Sequence, residues 1–282
     1  EEITKENESE IESLYDEVKG KTIPGKPIIK TEVQAQKLYQ DMLKSIIENP
    51  LPKWRVAVDC ANGAQSNVLP DLLASLGLEV IKINCNVQDE FIARDTDTDD
   101  KVEITELKKT VVRQNADFGL AFDGDGDRAV FVDERGNFVQ GEYSCALVAR
   151  NTNTDVVVTT ISASQVVEKL GKEIVRTKVG SPYVIEGMKN SGSTFGFEPN
   201  GGAISGEIMY TRDGGSMTVK LLNLFADFRG TFSNFVGQLP RFYMIRTKVD
   251  CPVNLNEVIL ELAKKEFKGE RVEEIDGLKI WV

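Results

Sequence analysis

The residues best suited to chemistry are three aspartates at alternate positions, Asp123, Asp125 and Asp127, in the stretch GLAFDGDGDRAVFVD. A glycine separates each pair, and its permissive backbone allows the three carboxylates to converge. Carboxylates this close repel one another unless a positive charge lies among them. Hard oxygen ligands in this arrangement suit Mg²⁺, which usually keeps other coordination positions for water or a phosphate. We therefore predict that Asp123, Asp125 and Asp127 bind Mg²⁺.

The same loop has two alternative interpretations. An EF-hand calcium loop requires Asp at its first, third and fifth positions, Gly at the sixth and Glu at the twelfth. Glu134 does stand at the twelfth position, but Arg128 occupies the sixth, and both flanks have the pattern of strands rather than helices. The sequence therefore argues against an EF-hand. An acidic turn exposed to solvent, without any ion, is the remaining alternative.

Arg128 follows the aspartates directly and adds a positive charge to the loop. An arginine beside a metal site offers charge-assisted hydrogen bonds to an anion, and a phosphate is the obvious anion. The alternative is that Arg128 only balances the charge of the neighbouring aspartates. The sequence leaves both roles open.

The composition excludes several kinds of active site. The 282 residues contain no histidine, which removes the commonest general base, every Ser-His-Asp arrangement and every histidine zinc site. The four cysteines are scattered without a C-x-x-C pair, so we expect free thiols rather than disulfides. Any chemistry must therefore depend on carboxylates, lysine, hydroxyl groups and a metal.

Charge and hydropathy limit the partners. The net charge is −11 and the pI is near 4.8, which argues against nucleic acid or an anionic membrane as a partner. An anionic small substrate in a local basic pocket remains compatible with that charge. The apolar runs are too short for a membrane span, and the chain opens without a charged-then-apolar leader. We expect a cytoplasmic protein, and a homo-oligomer stays open.

The elements that must position these residues follow an α/β pattern. A helix is predicted from about residue 32 to 48. An apolar run from Arg55, a turn, a helix ending at Gly77 and a second apolar run then make a strand–helix–strand unit, which implies parallel strands. A similar unit begins near Asp155, with a helix predicted before Gly171, and the aspartate loop lies in a hairpin between the two units. Consecutive mixed-sheet α/β domains of similar topology are therefore predicted.

Several motifs resemble the alpha-D-phosphohexomutases, the family of phosphomannomutases, phosphoglucomutases and phosphoglucosamine mutases. DGDGDR between two strands resembles the metal loop of that family. VDCANGA at 58–64 resembles the first strand and turn of its second domain, and RTKVGSPYVIEGM at 176–188 resembles a segment of its third domain. GFEPNGGAISGE at 196–207 is similar to its sugar-recognition loop, and TRDGGSMTVKLLNLFA to the helix start after that loop.

The resemblance implies an activity and a site. The family moves phosphate between C1 and C6 of a hexose through a phosphoserine and a bisphosphorylated sugar, so a hexose phosphate is the implied substrate. Glucose and mannose phosphates fit that expectation, and glucosamine phosphate is the alternative. The implied site residues are Asp123, Asp125 and Asp127 for Mg²⁺, Arg128 beside the transferred phosphate, Lys178 beside the reacting hydroxyl, and Glu198 and Asn200 on sugar hydroxyls.

Some of these residues also have an ordinary structural interpretation. Glu198 and Asn200 are of types that are common in solvated loops, and Lys178 could be an exposed lysine at the end of a strand. Asp213 is predicted to cap the helix that follows it, rather than to contact a substrate.

The sequence departs from the family in two places. It has no loop like T-A-S-H-N-P, which carries the phosphoserine, and no phosphate-gripping stretch like R-x-S-G-T-E-P. We therefore expect residues 1–30 to be a remnant of a first domain and connector, 31–147 the metal-loop domain, 148–237 the sugar-binding domain and 238–282 a partial last domain. A portion of a longer mutase, inactive by itself, is the favoured interpretation. A non-catalytic phosphosugar- or Mg²⁺-binding module is the alternative.

Overall fold

Two five-stranded sheets with the same strand order make up most of the described structure. The computed structural model describes residues 2–21, 25, 34–96, 103–243, 250–252 and 255–281. The first sheet has the order β2-β1-β3-β4-β5 and consists of β1 (Arg55–Asp59), β2 (Glu79–Ile83), β3 (Phe118–Phe122), β4 (Ala129–Asp133) and β5 (Phe138–Val139).

The pairing of the first sheet places the aspartate loop at one edge. β1 pairs in parallel with both β2 and β3, so the carboxyl ends of these three strands meet at the same edge. β3 and β4 pair antiparallel, from Phe118 opposite Asp133 to Phe122 opposite Ala129. The turn of this hairpin, residues 123–128, therefore projects from the carboxyl edge. The crossovers are α3 (Leu69–Ser75) and α4 (Thr105–Arg113).

The second sheet repeats this topology. Its order is β7-β6-β8-β9-β10, from β6 (Val156–Thr160), β7 (Glu173–Thr177), β8 (Phe195–Phe197), β9 (Ala203–Ser205) and β10 (Met209–Arg212). β6 pairs in parallel with β7 and β8, and β8 begins an antiparallel run through β9 to β10. The helix between β7 and β8 is α6 (Ser181–Ser191). Residues 198–202, between β8 and β9, thus hold the position in this sheet that the aspartate loop holds in the first.

The predicted fold class is confirmed, and one predicted helix is wrong. Two mixed sheets of identical topology, with the first three strands parallel, are what the repeated strand–helix–strand pattern indicates. The helix predicted before Gly171 is only a 3₁₀ turn, Val167–Lys169. The connection from Thr160 to Glu173 first makes a loop and turn, which leaves too few residues for a stable α-helix.

The remaining elements flank the sheets. The helix α1 (Lys5–Val18), near the amino end, was not predicted. Thr4 caps it by accepting a hydrogen bond from Asn7 N at 3.2 Å. None of its residues is buried. The helix predicted from about residue 32 to 48 corresponds to α2, which covers Ala35–Ser45 in the described residues and is shorter than predicted. The elements are α1 (Lys5–Val18), α2 (Ala35–Ser45), α5 (Gly141–Asn151), α7 (Gly214–Ala226), α8 (Phe232–Val236), α9 (Asn256–Glu266), β11 (Arg271–Glu273) and β12 (Lys279–Trp281).

Other expectations concern the chain as a whole. All four cysteines are free thiols. None of the helices that the structure describes is long and apolar enough to cross a membrane. The strand predicted ahead of Cys251 falls largely outside the described residues. The domain boundary expected between residues 147 and 148 lies within α5 and stays a prediction.

An aromatic cluster joins the first sheet to the helices that follow the second. Phe232, on α8, is fully buried, and its ring lies 5.1 Å from the ring of Phe118 on β3. It also lies 5.1 Å from Phe225 on α7, and Phe225 stacks on Trp54 at 4.6 Å. The main core includes buried residues from both sheets, so α7 and α8 pack the two halves against one apolar interior.

Truncation of this cluster should destabilise the chain strongly. We expect Phe232→Ala to lower the free energy of unfolding by about 3–5 kcal/mol, because a buried aromatic ring is removed and a cavity is left. The measurement is urea unfolding followed by circular dichroism. Tyr243→Ala is the control, because the Tyr243 side chain is 98% exposed; we expect a change within about 0.5 kcal/mol for that surface site. Equal losses in both variants would contradict a core role for the cluster.

Candidate functional site

The turn between β3 and β4 brings the three aspartates together. One carboxylate oxygen from each of Asp123, Asp125 and Asp127 lies within 4.8 Å of the others. Asp123 is buried, Asp127 is half-buried and Asp125 is exposed. Gly126 has a φ of +76°, and a Cβ there would lie 2.7 Å from the Gln65 side chain. The glycine is thus needed both for the backbone conformation and for the close packing of the loop.

Backbone contacts from two directions hold this loop in place. Ala64 N donates to Gly124 O at 2.9 Å, and a Cβ on the adjacent Gly63 would lie only 2.1 Å from the same oxygen. Gln65 Nε2 donates to Gly126 O at 3.1 Å. Gly214 N, at the start of α7, donates to that oxygen at 3.3 Å. The turn after β1 and the start of α7 therefore position the aspartate loop together.

A buried ion pair fixes the end of β3. The side chains of Arg94 and Asp59 are 1% and 2% exposed, and Arg94 Nη2 lies 2.9 Å from Asp59 Oδ2. Arg94 Nη1 also donates to Phe122 O at 2.7 Å, which is the carbonyl directly before Asp123. An arginine can serve a carboxylate and a carbonyl together because its donors are arranged as a rigid fork. Sequence analysis did not single out Arg94.

Arg128 pairs with the aspartates of its own loop. Its Nε donates to Asp123 Oδ2, and its backbone N donates to Asp123 Oδ1 at 3.2 Å. The same Nε lies 3.5 Å from Asp127 Oδ1. Arg128 also lines an open cleft of about 480 Å³ together with Asp125 and Arg94. The charge-balancing contact is therefore present, and the side chain still borders space that a ligand could enter.

The aspartates are electrostatically strained by their crowding. Burial raises the pKa of Asp127 to about 7; Asp123 and Asp125 also raise it, while the Arg212 guanidinium lowers it. Burial likewise raises the pKa of Asp123, against the opposing effect of Arg128. Asp127 Oδ1 is buried and accepts no hydrogen bond. A buried carboxylate oxygen that accepts no hydrogen bond and lies among converging carboxylates is one that a divalent cation would satisfy, so the donor set fits Mg²⁺.

Glu198 lies on the turn between β8 and β9, beside the start of β4. It is buried, and its Oε1 accepts a hydrogen bond from Gly180 N at 3.0 Å. Gly201 has a φ of +96°, and a Cβ there would lie 2.4 Å from Ala129 O. Ala129 N in turn donates to Gly201 O at 3.3 Å. The turn between β8 and β9 therefore contacts the residue that directly follows the metal loop.

Asn200 is fixed by hydrogen bonds, whereas the Lys178 side chain is exposed. Asn200 Oδ1 accepts from Gly202 N at 3.1 Å, and its backbone O accepts from Thr96 Oγ1 at 2.7 Å, so this residue is fixed within the turn. Lys178 is exposed after β7, with its Nζ 5.7 Å from the centroid of the Tyr183 ring. Within the described part of the chain, no ion pair joins Lys178 to the aspartates or to Glu198.

Arg212 is, with Arg94, a residue of this site that sequence analysis missed. It ends β10, and its Nη2 lies 2.7 Å from Asp127 Oδ2 while its Nη1 lies 2.6 Å from Glu198 Oε2. The available signal was its place in TRDGG, directly before a helix cap. That cap is present as predicted, since Asp213 Oδ1 accepts from Gly215 N at 2.9 Å. The arginine beside it connects the two candidate loops.

Comparisons with known proteins agree with this architecture. Two family models match: "Phosphoglucomutase/phosphomannomutase, alpha/beta/alpha domain II" over residues 37–136 and the corresponding domain III over residues 140–243. The chain is 35% identical over 256 residues to a phosphoglucomutase/phosphomannomutase of Thermococcus kodakarensis, covering 86% of the chain and 56% of the relative. It is 34% identical over 281 residues to a probable phosphoglucosamine mutase of Methanosarcina barkeri, covering 97% of the chain and 64% of the relative.

A solved structure shares the fold. The crystal structure of a phosphoglucomutase/phosphomannomutase family protein from Burkholderia thailandensis superposes with a TM-score of 0.74 at 21% identity. The match covers 96% of this chain and 60% of that structure. The chain therefore spans less than two thirds of the length of the proteins it matches here.

The carboxylate cluster should bind Mg²⁺ through Asp125. We expect Asp125→Asn to weaken Mg²⁺ binding by this chain at least about tenfold, because a charged oxygen ligand beside a dication is replaced by a neutral amide. The measurement is isothermal titration calorimetry.

The control is Asp71→Asn, a change of the same chemistry at a side chain that is 58% exposed and pairs only with Lys82 at the surface. Its Mg²⁺ affinity should equal that of the wild type. Unchanged affinity in Asp125→Asn would show that the loop is a solvated acidic turn. Tighter binding of Ca²⁺ than of Mg²⁺ would favour the calcium interpretation.

Proposed function

This chain belongs to the phosphoglucomutase/phosphomannomutase family, and on that basis we propose that the whole protein interconverts hexose 1-phosphates and hexose 6-phosphates of mannose or glucose. The single observation that carries this proposal is the direct contact between the end of the aspartate loop and the turn that bears Glu198. Ala129, which follows the first loop, is hydrogen-bonded to Gly201 of the second at 3.3 Å. A cation at the aspartate loop and sugar hydroxyls at the Glu198 turn would thus be adjacent, as phosphate transfer to a sugar requires.

The aspartate loop would hold Mg²⁺. Asp123, Asp125 and Asp127 converge within reach of one ion, and Asp127 Oδ1 accepts no hydrogen bond that the ion would have to replace. A bound Mg²⁺ would supply charge neutralisation for the phosphoryl group. The chain's own contribution is the arrangement of the carboxylates, which Gly63, Gly126 and the start of α7 keep in place before any ion binds.

Arg128 would bind phosphate oxygens beside the metal loop. It lines the same cleft as Asp125 and is anchored through Nε to Asp123. A guanidinium carries five N–H donors, so this anchoring leaves others for an anion. The contact with Asp123 therefore orients the arginine without using up its capacity to bind phosphate.

Glu198 and Asn200 would recognise sugar hydroxyls. A carboxylate offers about four acceptor sites, and Gly180 and Arg212 occupy one on each oxygen of Glu198. The remaining acceptor sites suit hydroxyl donors. Lys178 is exposed near this turn and would reach the reacting hydroxyl only after a change of its side-chain conformation away from the Tyr183 ring.

The phosphoserine would come from outside these 282 residues. No T-A-S-H-N-P-like loop occurs in the chain, and TTISAS forms the end of β6 and the turn after it. The proposal therefore assigns to this chain the positioning of metal, phosphate and sugar, which is most of what phosphoryl transfer needs from a protein. The cytoplasm remains the compartment we propose.

A second candidate is phosphoglucosamine mutase activity. The observation that favours it is the 34% identity with the Methanosarcina barkeri relative, which spans 97% of the chain. The two candidates share the same chemistry and differ only in the substituent at C2 of the hexose. The choice between them therefore depends on a direct comparison of substrates.

The test is turnover of glucose, mannose and glucosamine monophosphates by the full-length protein, followed by phosphorus NMR. We expect activity with at least one of them, and a loss of at least about 100-fold in kcat in Asp125→Asn, because charge stabilisation at the phosphoryl group is removed. Asp71→Asn is the matched control and should retain full activity.

The intact mass of the full-length protein provides a second readout. An increment of one phosphate is expected from a phosphoserine donor, and it should persist after turnover because the bisphosphorylated sugar rephosphorylates the serine at the end of each cycle. Turnover at the wild-type rate in Asp125→Asn would refute the metal assignment. Mg²⁺ binding without turnover of any of the three sugars would instead identify a binding module, and the 282-residue chain alone should behave in that way.

A further inference from the structure

Arg212 joins carboxylates that belong to different sheets. Asp127 lies in the hairpin of the first sheet, whereas Glu198 and Arg212 lie in the second. Their side chains are 19%, 5% and 24% exposed, so the cluster is largely shielded from water. Each carboxylate meets a different terminal nitrogen of the guanidinium, at 2.7 Å for Asp127 and 2.6 Å for Glu198. One planar group thus sets the separation between the two loops.

The turn between β8 and β9, residues 198–202, is called the sugar loop here, and it carries no side chain at the point where Arg212 lies against it. A Cβ on Gly202 would lie 2.6 Å from Arg212 Cδ. The backbone of Gly202 is not in the left-handed region, so the constraint at this position is space rather than conformation. Any side chain at 202 would overlap Arg212 Cδ and would force the arginine side chain out of its present position. Glycine at position 202 is therefore explained by the space that Arg212 occupies rather than by a need for a flexible loop.

Asp127 presents Oδ2 to Arg212, whereas its Oδ1 lies 3.5 Å from Arg128 Nε without a hydrogen bond. Oδ2 binds the guanidinium, while Oδ1 is buried and accepts no hydrogen bond. A divalent cation bound at Oδ1 would lie close to the guanidinium, and the two positive charges would repel each other. The cation and Arg212 would therefore compete for the charge of Asp127, whereas the ion pair of Arg212 with Glu198 Oε2 would be unaffected by that competition.

We propose that Arg212 is a positioning residue that couples the metal loop to the sugar loop, by holding Glu198 in the orientation that binds sugar and by competing with a divalent cation for Asp127. The sugar half of this inference rests on the proposed mutase function, and the metal half does not. Arg212 would act through Asp127 and Glu198 rather than by contact with the reacting atoms.

A purely structural role of Arg212 would have different consequences. If Arg212 only linked the two sheets, its removal would lower the free energy of unfolding and would leave the intrinsic affinity for the cation unchanged. Coupling instead predicts opposite effects on the two loops, namely tighter cation binding and weaker sugar binding. The sign of the metal effect thus separates the two roles.

The first test is Mg²⁺ titration of this chain by calorimetry, with all variants compared at the same pH. We expect Arg212→Gln to bind Mg²⁺ about fivefold more tightly, because a competing positive charge is removed. Arg212→Lys retains the charge and should bind within about twofold of the wild type. Arg113→Gln, which removes a charge from an exposed pair with Glu106, is the control and should not change the affinity. Unchanged or weaker binding in Arg212→Gln would overturn the coupling.

The second test is steady-state kinetics of the full-length enzyme. Both Arg212→Gln and Arg212→Lys should raise KM for the hexose phosphate about tenfold, because lysine lacks the fork that holds two carboxylates and Glu198 loses a charged hydrogen bond. A wild-type KM in the lysine variant would overturn the sugar half. If the wild-type enzyme turns over no hexose phosphate, the proposed function fails, and the titration still decides the metal half.

Gly202→Ala guards against failure of the arginine variants to fold. It keeps every charge but displaces Arg212, since its new methyl group would overlap Arg212 Cδ. We expect Gly202→Ala to bind Mg²⁺ more tightly than the wild type and to have a higher KM. Both changes should be smaller than in Arg212→Gln. A thermal unfolding curve would confirm that the variant is folded. Wild-type values for both quantities in a folded Gly202→Ala would refute the proposal.

Discussion

Repulsion among three crowded carboxylates is the constraint on which this site depends. Their oxygens lie within 4.8 Å of one another, and burial makes the charged forms still less favourable, as the raised pKa of Asp127 shows. Two arginines, Arg128 and Arg212, offset part of this cost from opposite sides of the loop. Neither satisfies Asp127 Oδ1 by a hydrogen bond. Additional positive charge at Asp127 Oδ1 would therefore still stabilise the folded loop.

Contacts between backbone groups support this loop, in addition to the side chains of Gln65 and Arg94. Gly63 lets the turn after β1 approach Gly124 O, and Gly201 lets the second loop approach Ala129. These contacts use hydrogen bonds between main-chain groups, which do not depend on side-chain rotamers and therefore hold the loops rigidly. The aromatic cluster of Phe118, Phe225 and Phe232 packs beneath them and keeps the two halves in register.

The repeated topology explains why the two loops face each other. In each sheet the first three strands are parallel, and the third strand leads into a turn and then an antiparallel strand. The aspartate loop and the Glu198 turn occupy equivalent places in the two sheets, at the carboxyl end of β3 and of β8. Ligands of α/β proteins bind at this edge. The repeated topology therefore places one candidate binding loop at the carboxyl edge of each sheet, each with its own chemistry.

The sequence by itself determined the local features of this protein. The alternation of Asp and Gly at 123–127 and the repeated strand–helix–strand pattern depend on neighbours along the chain, and both were predicted. Only the tertiary structure decided that Arg212 joins Asp127 to Glu198 and that Arg94 anchors the end of β3, because these contacts depend on how distant segments pack. It also decided that the connection before Gly171 is a single 3₁₀ turn, since the loop ahead of it takes the residues that a helix would need. Local pattern specifies elements and loops, whereas the pairing of charges across the cleft follows from the packing of one sheet against the other.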